Sequence, residues 1–212
     1  MLCRDQVEAW IRAFAGAIAD QKEYLTQLDT AIGDADHGTN LDRGFRKVLE
    51  RLDDWRQGGI GKLLQEVGMT LIATVGGASG PLYGTFFVRA AAAAGSGESL
   101  IDAEAAEMFS QGVDGVAQRG RAELGDKTMV DVLVPARDAW MAATKEGTSL
   151  AEAVERAVGV AAEARDATGP MLARRGRASY LGERSRGHID PGAASAHLML
   201  QSLMLTIERE DS

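Results

Sequence analysis

The stretch LDTAIGDADHGTN, residues 28–40, sets Asp29, Asp34, Asp36 and His37 within nine positions and contains no basic residue. Three carboxylates drawn that close repel one another, and nothing in the segment neutralises them. A hard divalent cation answers the repulsion. Mg²⁺ takes oxygen ligands, keeps several waters and is commonly held by a few carboxylates together with substrate phosphates. Asp34 and Asp36 lie two apart in a glycine-flanked turn, so their side chains can converge, and Asp29 can reach them from the end of the preceding helix. Three carboxylates suffice for two Mg²⁺ ions bridged by phosphate oxygens, an arrangement that neutralises charge during phosphoryl transfer. The plainer alternative makes Asp29 a helix-end residue and leaves Asp34 and Asp36 in turns closed by local side-chain bonds.

A second stretch, GGASGP at residues 76–81, has the small residues of a phosphate cradle but not the lysine of a P-loop. Its backbone N–H groups fall just before a helix start, where the helix dipole favours anions. Taken alone, it is equally a tight connection between helices.

The elements that must position these residues are helical. Val7, Trp10, Ile11, Phe14 and Ile18 recur at the three- and four-residue spacing of one helix face, as do Leu41, Phe45, Val48, Leu49 and Leu52. Ile60 to Leu71, Met108 to Val116, Leu150 to Ala161 and Ala194 to Leu205 repeat the pattern. Ser149 with Glu152 predicts a capping box, Asp190-Pro191 a capped start with proline at the first helical position, and Pro81 another helix start. The pattern predicts an all-α chain of about eight amphipathic helices, with no convincing strand alternation. Of the connections, those near 95–99 and 144–149 are bland. The rich ones are GDADHGTN, GGASGPLYG, GRAELGDKTMVD and GRASYLGERSRGHIDPGA, which follow the first, third, fifth and seventh predicted helices. In an up-and-down antiparallel bundle alternate loops share one end, so the four rich loops meet there. A site built from loops on a rigid helical scaffold is the expectation.

Bulk properties narrow the ligand. The 212 residues carry a net charge of −8, with 45% hydrophobic and 25% charged residues. That balance argues against nucleic acid and against an anionic membrane surface; anionic small molecules remain if metals or backbone donors supply positive charge. A lone cysteine, Cys3, excludes a disulfide framework. The opening MLCRDQVEAW carries Arg4, Asp5 and Glu8 where a signal peptide is apolar. No run approaches the ~18 apolar residues of a membrane span. A cytoplasmic location is expected.

The four rich motifs, in this order and over essentially the whole chain, resemble the ADP-binding L subunits of bacterial dihydroxyacetone kinases and the nucleotide-binding domain of their single-chain, ATP-dependent relatives. The resemblance implies one nucleotide-binding domain over residues 1–212, folded as a closed barrel of eight antiparallel helices with Mg-ADP or Mg-ATP on the loops at one end. It implies that Asp29, Asp34 and Asp36 hold two Mg²⁺ ions, and that His37, Gly38, Thr39 and Asn40 continue the phosphate cradle. Ala78 and Ser79 would contact phosphates; Gly120, Met129 and Arg177 would line the rest of the pocket; Asp190, Pro191 and Gly192 would close it. Met129 could equally be a core methionine, Arg177 part of a solvated basic stretch, and His188 and His197 structural. The resemblance also implies a partner K subunit that holds the keto-sugar, no nucleophile on this chain, and recharging of bound ADP by a phosphohistidine carrier of the sugar phosphotransferase system. Exchange of free ATP, a related keto-sugar, and an ADP-loaded module that binds a transcription regulator are the alternatives.

Overall fold

The computed structural model describes residues 1–208, and within them the chain is almost wholly helical. Its α-helices are α1 (Arg4–Asp20), α2 (Lys22–Ile32), α3 (His37–Leu52), α4 (Ile60–Thr74), α5 (Ser79–Ala94), α6 (Asp102–Gly120), α7 (Val130–Lys145), α8 (Leu150–Ala167) and α9 (Pro191–Glu208). The first predicted helix is two. At Gln21 the backbone leaves helical geometry (φ −98°, ψ 9°), and α2 begins at the next residue. The apolar pattern hides this break, because Ile18 and Leu25 are seven residues apart and read as one continuing face. The strand pattern is absent for good reason: the only pairing among the described residues is Leu2–Cys3 with Ser99–Leu100, antiparallel and too short to show alternation.

Each helix packs on its neighbour in sequence, and α9 returns to pack on α1, so the ring closes. The Trp10 indole N–H seals that closure by donating to the Met199 carbonyl at 2.8 Å. The interior is filled by aromatic rings in contact: Phe14 on Phe45 (4.7 Å between centroids), Phe86 on Phe109 (5.5 Å) and Phe109 on Trp140 (5.0 Å). Burial of each such ring contributes about 1.5–3 kcal/mol, against about 0–1 kcal/mol for an exposed ion pair, so the core and not the charged surface holds the ring together. No helix of the described residues is long and apolar enough to cross a membrane.

The closest helix pair is α4 with α5, which meet at glycines. A Cβ on Gly68 would stand 2.7 Å from the Gly84 carbonyl oxygen and 2.7 Å from Val88. The backbone there cannot move without moving a whole helix. Gly68→Ala is therefore expected to destabilise the fold by about 1–3 kcal/mol, read as a lower urea midpoint with an unchanged slope. An unchanged midpoint would contradict the tight crossing.

Candidate functional site

Four residues, Gly33 to Asp36, join α2 to α3, and they fold around one side chain. Asp29, on the last turn of α2 and only 7% exposed, accepts the backbone N–H groups of Asp36 (2.8 Å) and His37 (3.1 Å) on its Oδ2. These are two of the orphan donors at the start of α3, so Asp29 caps that helix from outside. The N–H of Gly33 returns to the Asp29 carbonyl at 2.6 Å. A side chain at Gly33 would collide with the same carboxylate, its Cβ lying 1.9 Å from Oδ1. Ala35 adopts a left-handed conformation (φ 60°), unusual for a residue with a Cβ, which folds the turn between Asp34 and Asp36. As a result one oxygen from each of Asp29, Asp34 and Asp36 lies within 4.8 Å of the others. Three hard oxygen donors at that separation fit a small divalent cation such as Mg²⁺.

The surroundings are made of helix starts. α3 begins at His37, α5 at Ser79, α7 at Val130 and α9 at Pro191. His37, Ala78, Ser79, Met129, Pro191 and Gly192 line the cleft that also holds the three aspartates. Four N-terminal dipoles thus point their positive ends at one cavity of 170 Å³. Gly77, with φ +65°, brings the glycine turn beside Asp36: a Cβ there would sit 3.8 Å from both carboxylate oxygens. Asp190 caps α9 by accepting the Ala193 N–H at 2.8 Å, and burial pushes its carboxyl up to about 7, against the pull of that N–H and of Lys127. Arg177 Nε donates to Asp34 Oδ2 at 2.8 Å, at the cleft's edge.

His37 bridges three helices. Its Nδ1 is 3.0 Å from Ser79 Oγ and its Nε2 is 2.9 Å from Ser195 Oγ, which also accepts the Tyr83 hydroxyl at 2.7 Å. Burial lowers the imidazole to about 4, despite the opposing charge of Asp29. At neutral pH the ring is therefore uncharged, and it ties α3 to α5 and α9 without adding positive charge to the cleft.

Most residues expected at the site line this cleft, and four do not. Gly38 faces α2, where a Cβ would stand 2.2 Å from the Lys22 carbonyl oxygen; it permits helix packing. Thr39 is exposed and lines a separate groove with Thr26 and Thr30. The helix already runs at His37, so each step turns about 100° away from the cleft. Asn40, one turn on, is buried behind the glycine turn, where its Oδ1 accepts from Arg43 at 2.8 Å. Gly120 lies in a second cavity of 300 Å³ that shares Ala78, Met129 and Gly176 with the first and adds Pro81, Val116 and Val130. The pair gives one chamber that holds the acidic cluster and a second, mainly apolar chamber that also carries Arg119, Thr128 and Arg175 on its wall, together of the size of small-molecule sites, about 300–1,000 Å³. Lys127, Ser195 and Tyr83 belong to this end and were not singled out by sequence. Buried polar residues in apolar runs, such as Ser195 (0% exposed) in PGAASAHLML, were the available signal.

The described residues thus form an all-α ring whose helix starts converge on a carboxylate cluster at one end. The family profile described as the DAK2 domain matches residues 31–205. The chain belongs to the DAK2 domain family. It is 50% identical over 204 residues (96% of this chain, 97% of the relative) to the Escherichia coli K12 PEP-dependent dihydroxyacetone kinase, ADP-binding subunit DhaL. It is 36% identical, over 96% of this chain and 98% of the relative, to the PTS-dependent dihydroxyacetone kinase ADP-binding subunit DhaL of Lactococcus lactis. The dihydroxyacetone kinase from C. freundii in complex with AMP-PNP and Mg²⁺ shares the fold (TM-score 0.71, 23% identity, 94% of this chain), and this chain spans 33% of that larger one.

Because Gly33 leaves room for the Asp29 carboxylate, Gly33→Ala is expected to weaken Mg²⁺ or Mn²⁺ binding by about 10–100-fold while the helix content is retained. Titration calorimetry with far-UV circular dichroism checks both. Unaltered metal affinity would show that the close approach does not set the Asp29 geometry.

Proposed function

We propose that this chain is the nucleotide-binding subunit of a dihydroxyacetone kinase, holding Mg-ADP or Mg-ATP and presenting its terminal phosphoryl group to a keto-sugar bound on a separate K subunit. The observation that carries the reading is the meeting of three carboxylate oxygens within 4.8 Å with the N-terminal ends of four helices. Carboxylates alone attract cations, and helix starts alone attract anions. Together they suit an anion that arrives with its cations.

The roles of the residues follow from their placement. Asp29, Asp34 and Asp36 would hold two Mg²⁺ ions, which supply charge neutralisation along the diphosphate when bound. Ala78, Ser79 and the Gly77 turn offer backbone N–H groups to phosphate oxygens, and Ser79 has its hydroxyl fixed by His37. Pro191 and Gly192, beside the start of α9, close the opposite wall, with Asp190 capping that helix. Met129 stands at the junction of the two chambers, and Gly120 with Val116 and Val130 forms the apolar chamber suited to the base. Arg177, whose Nε donates to Asp34 at the cleft's edge, would offer a charge-matched donor to a phosphoryl group held at that corner. These groups orient and exclude water; the chain itself supplies no nucleophile to the reaction.

The resemblance to DhaL subunits named for PEP or phosphotransferase-system dependence supports a donor route in which a phosphohistidine carrier recharges bound ADP, and a cytoplasmic setting. Exchange of free ATP is the competing route. Gel filtration separates them: the freshly purified protein is expected to keep about one ADP per chain, as a fixed cofactor does, whereas loss of the nucleotide on the column would favour exchange.

Asp34→Asn removes one charge and one oxygen ligand from the partly exposed side of the cluster. It is expected to keep the fold and lose Mg-ADP binding by at least about tenfold in calorimetric titration. The wild-type melting temperature should rise with Mg-ADP and fall back on chelation, since the ligand binds only the folded state. Wild-type affinity in the variant, together with a melting temperature indifferent to chelation, would refute the proposal.

A further inference from the structure

Lys127 is the least exposed charged residue of the cleft, at 1%, and its backbone is left-handed (φ 62°). A lysine beside a phosphate site invites the reading that it grips phosphate. Its bonds say otherwise. Nζ donates to the carbonyl oxygens of Thr168 (2.5 Å), His188 (2.5 Å) and Gly169 (3.2 Å). An ammonium has three donors, so none remains for an anion. Burial lowers the ammonium below the usual lysine value and Arg186 adds to the fall, while the carboxyls of Asp190 and Asp131 oppose it.

The three carbonyls lie at the two ends of one segment. Thr168 and Gly169 leave the C-terminus of α8, and His188 stands just ahead of α9. The same neck is stitched by Gly187 N–H to the Gly169 carbonyl (2.8 Å) and Asp190 N–H to Thr168 Oγ1 (3.1 Å). Between these ends runs a strap, residues 170–186, that carries Arg175, Gly176, Arg177 and Ala178 into the wall of the cleft. Farther along, the strap is tethered by Arg174 N–H to the Asp126 carbonyl (3.0 Å), next to Lys127 in sequence.

We infer that Lys127 is a positioning residue: its ammonium pins the neck of the 170–186 strap so that Arg177 and Ala178 stay over the acidic corner, and it thereby sets how long a bound nucleotide is held. The second half rests on the nucleotide reading above. The first half does not. Removing the ammonium leaves the His188 carbonyl without its donor and Asp190 without its nearby cation, and the Thr168 and Gly169 carbonyls keep only the N–H groups of Met171 and Gly187, while the helical ring is untouched. The strap then opens locally without unfolding of the whole.

The test is Lys127→Met, which keeps the length of the side chain and removes the charge and donors. Hydrogen exchange on the ligand-free protein should show protection in residues 169–187 falling by about tenfold or more, with α4 to α6 unchanged. Stopped-flow with Mg-ADP should show dissociation about tenfold faster and association within about twofold of wild type, a split that general loss of structure does not produce. Wild-type exchange in the strap overturns the inference, as does a loosened strap with unaltered ADP dissociation. If wild-type protein fails to bind Mg-ADP, the nucleotide reading falls, and the exchange data alone decide the neck. Should Lys127→Met not fold, Lys127→Gln decides. It keeps two N–H donors and removes the charge and the third donor, and a smaller loosening of the same strap supports the pin while none overturns it.

Discussion

The site depends on one buried carboxylate. Asp29 has its charge withdrawn from water, a loss that unpaired would cost several kcal/mol. The two N–H groups at the start of α3 compensate on Oδ2, and the missing side chain of Gly33 leaves Oδ1 its space. That arrangement fixes the entry angle of α3, and with it Asp36 and His37. Asp34 follows because only one left-handed residue, Ala35, separates it from Asp36. Helix start, acidic cluster and glycine turn are therefore one unit, and a change to any of them reaches the other two.

The closed ring gives that unit its partners. With helices running alternately up and down, α3, α5, α7 and α9 all begin at the same end, and each presents unsatisfied N–H groups there. Much of this positive end is already in use: Asp29 caps α3, Asp190 caps α9, and Asp131 accepts from Gly125 and Thr128 ahead of α7. The start of α5, at Ala78 and Ser79, faces the acidic cluster from across the cleft. An anion placed between them meets donors on one side and needs cations on the other. The second, apolar chamber beside Gly120 then accounts for the remainder of a ligand longer than a phosphate group.

Much of this was legible in the sequence because the relevant signals are local. The three aspartates lie within eight residues, and the helical periodicity and the alternation of rich and bland loops give the shared end directly. Capping at Ser149 and at Asp190-Pro191 was readable for the same reason, and both caps are present. The break at Gln21 was hidden because it preserves the heptad spacing of apolar residues. Gly38 and Thr39 were grouped with the cradle by their neighbours in sequence, whereas helical rotation carries them outward. Lys127, Tyr83 and Ser195 were hidden for a different reason: their partners lie 41, 112 and 158 positions away, at Thr168, Ser195 and His37 respectively. No local pattern records such contacts.

The most direct measurement of the central claim is a crystal structure grown with Mn²⁺ and ADP, with manganese located by its anomalous scattering. The account predicts two peaks inside the corner formed by Asp29, Asp34 and Asp36, at about 2.0–2.2 Å from their oxygens, with the diphosphate between them and the start of α5. Manganese found elsewhere, or ADP bound with its phosphates turned away from that corner, would contradict it.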